Sequence, residues 1–284
     1  MAVGFRRPHL PFSAPEKYWN LYNSEEIPEI TNPAPPKGVP EIALHNWKEL
    51  RGYTDMPKIG DVDPEKAKKL RWGYYAAISY VDAQIGKLIN ELKRLNLDKN
   101  TVIVLWSDHG YHLGEKNLWC KITNFELDTR VPLIISLPNQ KAIGAKTNAI
   151  VELVDVYPTL ADVCGFDIPE ELAGKSLKPL LENPNTIWKN SALSQFPRPG
   201  YYKDKPNLMG YSIRTDQFRY TKWINIQTGN AEAIELYDHF VDPGEEVNIA
   251  EEDKMKGIID DLDKIFEDKI SKGYKNVVDK FRIK

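Results

Sequence analysis

The feature that most constrains this chain is the run Thr101-Val-Ile-Val-Leu-Trp106, apolar or β-branched throughout and followed at once by Ser107-Asp108-His109-Gly110. A membrane-spanning helix takes about 20 apolar residues, so the run is far too short to be one. Its length and composition suit a buried parallel strand. A carboxylate and an imidazole then leave the carboxyl end of that strand together, at the edge where open α/β sheets bind ligands. Gly110 is expected to permit a sharp backbone turn there. Residues 131–137 read as the next strand, and Lys121 between the two adds a compact positive charge. Asp108 is a hard oxygen donor suited to Ca²⁺ or Mg²⁺, and Lys121 suits an oxyanion. An Asp-His pair also follows strands in many proteins where it does no chemistry, so at this point both readings stand.

Composition removes several function classes. With 38 basic and 41 acidic residues the net charge is −3, and no basic footprint for nucleic acid is visible. No run is long and apolar enough for a membrane span. The opening MAVGFRRPHLPF lacks the order of a signal peptide, because Arg6 and Arg7 come after the short apolar piece and no cleavage site follows. Cys120 and Cys164 make no disulfide framework. Beside Lys121, Cys120 is either a reactive thiol or, more commonly for such a residue, a packed one next to Trp119.

Residues 1–5 look like the tail of a strand. Residues 10–64 are rich in proline, with Trp19, Tyr22 and Trp47 among them. They read as an irregular but ordered excursion, too aromatic for a disordered linker. Asp63-Pro64 supplies a helix N-cap and a proline at the first helical position. Apolar residues at helical spacing from Leu70 to Leu92 carry that helix to about Leu95, packing on the sheet. Asp155 is expected to cap a helix that ends at Gly165, and residues 175–182 to form a short helical segment. From about residue 186 the pattern becomes period-two. Residues 211–214, 218–223 and 233–237 read as antiparallel strands joined by turns at Asp216 and Thr228-Gly229. An amphipathic helix over 251–271 closes the chain, with His239 and that helix's acidic residues as solvated surface. The division is 1–185 for an α/β domain and 186–284 for a small antiparallel subdomain with one helix.

Three stretches together carry a resemblance: S-D-H-G-Y-H-L-G-E from Ser107, L-W-C-K-x-T-N-F-E from Leu118, and T-R-V-P-L-I from Thr129. With A-V-G-F-x-x-P-H-L-P-F at the start, the chain resembles the sulfatase family, in particular its iduronate-2-sulfatase-like branch. The resemblance implies an alkaline-phosphatase-like α/β sheet with flanking helices. It implies Asp108 as a metal ligand for Ca²⁺ or Mg²⁺, and His109 at the metal or the sulfate. By the same resemblance Lys121 stabilises sulfate charge, and His9 contacts the sulfate or acts as proton donor. Tyr111, His112 and Trp119 stand where pocket-lining groups would be, and Lys116 stands where many relatives have histidine. The implied substrate is a sulfated carbohydrate or another sulfate ester. The implied compartment is periplasmic, secreted or lysosomal-type.

The family's nucleophile is a formylglycine made from the cysteine of C-x-P-S-R, and no such motif occurs here. Cys120 is followed by Lys-Ile-Thr and Cys164 by Gly-Phe-Asp, while Ser13-Ala-Pro-Glu-Lys17 ends in the wrong residue. The family's paired N-terminal aspartates are missing too. The resemblance therefore covers the C-terminal portion of a sulfatase, inactive alone, with a separate N-terminal half as one possible partner. Two rivals remain: a phosphoester hydrolase of the same superfamily, and a non-catalytic module that keeps only an anion pocket.

Overall fold

The computed structural model of the chain describes residues 1–200 and 205–271. Its first elements are α1 (Glu16–Trp19), α2 (Lys48–Arg51), α3 (Pro64–Arg94) and β1 (Ile103–Trp106). The middle contains β2 (His112–Leu113), β3 (Trp119–Cys120), α4 (Glu126–Thr129), β4 (Leu133–Ser136), α5 (Val156–Val163) and α6 (Lys178–Glu182). The last part contains β5 (Ala192–Arg198), β6 (Leu208–Arg214), β7 (Phe218–Asn225), β8 (Ala231–Asp238) and α7 (Lys256–Lys269). They divide between two compact units. One comprises Met1–Pro35, Asn46–Val102 and Tyr111–Lys121; the other comprises Pro36–His45, Ile103–Gly110 and the described residues from Ile122 onward.

The first unit is organised by α3, which begins as its sequence requires: Asp63 accepts from the backbone N–H of Lys66 at 3.2 Å and Pro64 opens the helix. Apart from Arg71, its buried residues are small: Ala67, Gly73, Ala76 and Ala77. That lets large aromatic rings from the proline-rich excursion come close. Trp19 packs edge-on against Trp72, Phe12 against Tyr74, and the Tyr22 hydroxyl lies 2.6 Å from Ser79 Oγ. A Cβ on Gly73 would sit 2.9 Å from the Trp19 ring. The helix expected to pack on the sheet thus finds these partners in its own unit, where the aromatic excursion gives its apolar stripe a surface to bury. Residues 1–5, read as a strand end, form no strand.

In the second unit β1 pairs with β4, and the pairing is antiparallel, with Ile103 opposite Ser136 and Trp106 opposite Leu133. This corrects the expectation of parallel interior strands: an apolar run fixes that a strand forms but carries no information about its direction. Nor are both faces buried, since Trp106 is 50% and Ile134 61% exposed. The main sheet is the antiparallel order β5-β6-β7-β8. Edge strand β5 was not anticipated because Pro197 interrupts it, a residue that only an edge tolerates. Met209, Tyr211, Ile213, Tyr220 and Leu236 alternate onto one face and bury Leu262 and Phe266 of α7. The other face is polar and equally buried, with Ser212, Arg219, Thr221 and Glu235. It is covered by residues 124–126: Asn124 Nδ2 donates to Gly210 O at 3.1 Å, and Phe125 packs on Tyr237.

Two further readings are corrected. Asp155 does not cap α5 with its side chain. Its carboxylate accepts from the N–H groups of Glu152 and Lys175 and from Lys189 Nζ, at 2.9, 2.8 and 2.6 Å. His239 is no surface residue, because its side chain is only 6% exposed, with Nε2 3.1 Å from Glu245 Oε1.

Candidate functional site

In the first unit, His9 and Lys121 converge across a separation of 112 residues, with Lys121 Nζ 3.2 Å from His9 Nε2. Buried Leu10 and Phe12 anchor the His9 loop, and Arg7 ties it to Ser13, with Nε donating to the carbonyl at 3.0 Å and Nη2 to Oγ at 2.6 Å. Lys121 leaves β3 between two residues with left-handed backbone, Cys120 at φ 73° and Ile122 at φ 84°. For a β-branched residue that conformation is strained, and such strain concentrates where a side chain must be aimed.

A third member, Glu49, was not foreseen. Its Oε1 lies 2.8 Å from His9 Nε2 and its Oε2 2.5 Å from Lys121 Nζ, with all three side chains at most about a third exposed. It rides on the single turn of α2, which is pinned from both sides. Trp47 and Leu50 are buried, and the Arg51 guanidinium lies 3.4 Å over the Trp47 ring. Arg51 also donates to the carbonyls of Asn46, Pro57 and Gly60, each at 2.9 Å. Nothing in the local sequence His45-Asn-Trp-Lys-Glu-Leu-Arg51 marks this glutamate.

Both nitrogens of the His9 ring have partners. Its Nδ1 is 2.7 Å from Leu10 O. A carbonyl only accepts, so Nδ1 carries a proton. The contact with Glu49 is then a hydrogen bond only if Nε2 is protonated as well, making the ring an imidazolium. When Nε2 is bare it accepts from Lys121 instead. Nε2, the ring nitrogen not held by the backbone, is therefore the one placed to carry a proton to a substrate.

In the second unit, Asp108 and His109 stand just beyond β1 as expected. The Asp108 side chain is 85% exposed, and its Oδ2 is 3.7 Å from His109 Nε2. His109 Nδ1 donates to Gly110 O at 2.7 Å, which leaves the lone pair on Nε2, the tautomer a metal ligand needs. Gly110 is required, though not for a left-handed turn, since its φ is not in that region. The reason is close approach: a Cβ there would lie 1.8 Å from Leu127 O and 2.8 Å from Leu127 C.

Of the residues placed by resemblance in a pocket lining, His112 and Trp119 are buried, and the Tyr111 ring stacks 5.4 Å from Tyr74. They act as packing beneath the His9–Lys121 loops. Lys116 is buried too. Burial pushes the Cys120 thiol up to about 12, so it is a packed thiol rather than a reactive one. Glu126, His239 and Glu245 also bring possible ligand atoms within 4.8 Å of one another. Their charge is already matched: Arg219 Nε donates to Glu245 Oε1 at 2.6 Å, Arg219 Nη2 to Glu126 Oε2, and Arg214 Nε to Glu126 Oε2 at 3.1 Å. A cation there would have to displace two guanidinium groups, so this cluster is a structural ion network.

The fold is alkaline-phosphatase-like. It is similar to a solved enzyme in complex with its substrate D-glucosamine-2-N,6-O-disulfate, with TM-score 0.79 and 25% identity over 95% of this chain and 64% of that chain. It is also similar to the phosphonate monoester hydrolase of Silicibacter pomeroyi, with TM-score 0.76 and 25% identity over 93% of this chain and 54% of that one. Residues 1–166 match the Sulfatase family and residues 114–272 match N-sulphoglucosamine sulphohydrolase, C-terminal. The chain belongs to the sulfatase family. It is 31% identical to iduronate 2-sulfatase of Mus musculus over 92% of this chain and 59% of that protein. With the Homo sapiens iduronate 2-sulfatase it shares 33% identity over 79% of this chain and 52% of that protein. The chain thus spans about half the length of the curated relatives it matches. No helix among the described residues is long and apolar enough to cross a membrane.

Proposed function

We propose that this chain carries the sulfate-binding groups, and part of the metal-binding set, of a sulfuric ester hydrolase acting on sulfated carbohydrate. The observation that supports it best is the meeting of His9 and Lys121 at 3.2 Å, two residues far apart in sequence and both aimed by tightly anchored loops. The Lys121 ammonium attracts the sulfate oxygens and stabilises the charge that grows on them and on the departing oxygen. His9, protonated at Nε2, donates to the leaving alcohol oxygen. The names of the iduronate 2-sulfatase relatives, and the disulfated glucosamine bound by a structural neighbour, support a sulfated sugar as the substrate class.

The sulfatase family generally binds a divalent metal, and Asp108 and His109 fit part of such a site. Asp108 offers an accessible hard oxygen suited to Ca²⁺ or Mg²⁺. His109 offers the lone pair of Nε2; imidazole is an uncommon ligand for a hard cation, so Asp108 is the principal donor of the two. A divalent metal held there would supply Lewis-acid character. The nucleophile is a separate requirement, since the sequence contains no C-x-P-S-R.

The test joins this chain to the segment of a relative that contains C-x-P-S-R and measures aryl sulfate turnover with Ca²⁺ or Mg²⁺ present. Asp108→Ala is expected to abolish activity, and the unjoined chain to show none. Equal turnover of the Asp108→Ala protein and its parent would remove that residue from the site. Because a phosphonate monoester hydrolase shares the fold, a phosphonate monoester is assayed alongside; preference for it over the sulfate would favour that second reading.

A further inference from the structure

We infer that Glu49 is a resident counterion of the His9–Lys121 pair, which a substrate anion must displace, and that it sets how much negative charge the site accepts. The inference rests on the reading of His9 and Lys121 as sulfate-binding groups and adds a residue that reading does not contain.

The geometry is that of a built-in anion. One carboxylate oxygen of Glu49 sits 2.8 Å from His9 Nε2 and the other 2.5 Å from Lys121 Nζ. The same two donors would have to meet two oxygens of a sulfate ester. A carboxylate and one O–S–O edge of a sulfate have similar spans and both accept hydrogen bonds only, so the two groups compete for one pair of donors. His9 Nε2 offers at most one N–H, so a sulfate oxygen that takes it must displace Glu49 there, whereas the Lys121 ammonium has three. Glu49 can leave without moving its backbone: α2 is held by Trp47, Leu50 and Arg51, while the Glu49 side chain is 24% exposed and has solvent to swing into.

The charge consequence follows. Without Glu49 the donors carry one positive charge from Lys121, and two when His9 is an imidazolium. With Glu49 alongside, even displaced by a few ångströms, that charge is reduced by one. With His9 as an imidazolium a net charge of +1 remains, enough to balance a monoanionic sulfate ester, while the second charge of a dianion goes unmatched beside the displaced carboxylate. Glu49 is therefore a specificity-determining residue that favours monoanions, and acts through charge rather than by touching the scissile bond.

The experiment is equilibrium dialysis of the purified chain with radiolabelled inorganic sulfate, a dianion, and competition by methyl sulfate, a monoanion, in low-chloride buffer. The neutral, nearly isosteric Glu49→Gln is expected to bind sulfate more tightly than the parent by about tenfold, and methyl sulfate by about threefold, as removal of a partly screened like charge predicts. Adding Lys121→Ala to Glu49→Gln should return affinity to the parent level or below. A gain of affinity cannot arise from misfolding, which would only weaken binding. If the parent binds anions and Glu49→Gln binds them equally or more weakly, the counterion role is overturned while the anion-site reading survives. If neither protein binds either anion, both readings fall together. If both anions gain equally, the selectivity is overturned and Glu49 is a general competitor.

Discussion

Replacing Gly110 with alanine tests whether the Asp108–His109 corner is set by close backbone approach. An added Cβ would lie 1.8 Å from Leu127 O, 2.8 Å from Leu127 C and 3.2 Å from Asp128 Cα, and every one of these atoms is backbone. No rotamer can relieve the clash, so the two segments must separate by roughly 1.2 Å to reach the shortest tolerable contact. That separation also breaks the hydrogen bond from Gly110 N to Asp128 O, now 2.8 Å. Overpacking costs about 1–3 kcal/mol and a lost hydrogen bond about 0.5–1.5 kcal/mol, for a total of about 2–4 kcal/mol. With a urea dependence of about 2 kcal/mol per molar, the midpoint should fall by roughly 1–2 M. Gly257→Ala is the control in the same unit: nothing lies within 4 Å of its Cβ, and in α7 it should gain up to about 1 kcal/mol. Circular dichroism against urea reads both, and hydrogen exchange at residue 110 reads the local bond. An unchanged midpoint for Gly110→Ala, with its amide still protected, would refute the close-approach argument.

Two other outcomes follow from the geometry. Burial alone would push the Glu245 carboxyl up, but the Arg219 guanidinium and His239 outweigh it and hold the group down at about 2. Its folded value is below the unfolded one near 4.5, so its contribution to stability is full above that and is lost as pH falls from there toward 2. Urea midpoints at about pH 6 and about pH 3 should show this loss, and Arg219→Met should flatten the difference; a parallel pH dependence in the variant would exclude the network as its source. In the joined protein, Lys121→Ala should lower kcat more than it raises KM, because its charge meets charge that grows in the transition state. A pure KM effect would reassign Lys121 to substrate binding alone.

What was legible in the sequence was whatever local chemistry decides. Asp63-Pro64 opens α3 where the cap and proline rules place it, and the period-two pattern from Tyr211 to Tyr237 becomes β6, β7 and β8. The motif around Ser107 and Lys121 was enough for the family. Misreadings arose where the answer lay in a distant partner. Nothing in Val-Ile-Val-Leu says that β1 runs antiparallel to β4, because strand direction is set by the chain that arrives opposite. His239 looked like surface because its partners, Glu245 six residues on and Arg214 on β6, are brought to it only by the folded chain. Gly110 was rightly singled out for the wrong reason: the conformational freedom of glycine is visible in a sequence, whereas the carbonyl of Leu127 pressing on it is not.

Glu49 carries the same lesson into the site itself. His9 and Lys121 were found because a motif carries them, and a motif records the residues that touch the reacting group. A counterion touches only those residues. It needs no fixed neighbours in sequence, only a carboxylate whose loop ends in the right place. Here that loop is the proline- and tryptophan-rich excursion, held by Trp47 and Arg51 and packed through its aromatic residues on α3. Such an excursion looks like decoration when read along the chain. Physically it is the part that decides the net charge His9 and Lys121 present, since one carboxylate reaches both at once. Changing that single charge alters anion preference while leaving every motif residue in place, so excursions of this kind are where the selectivity of such a site can vary most freely.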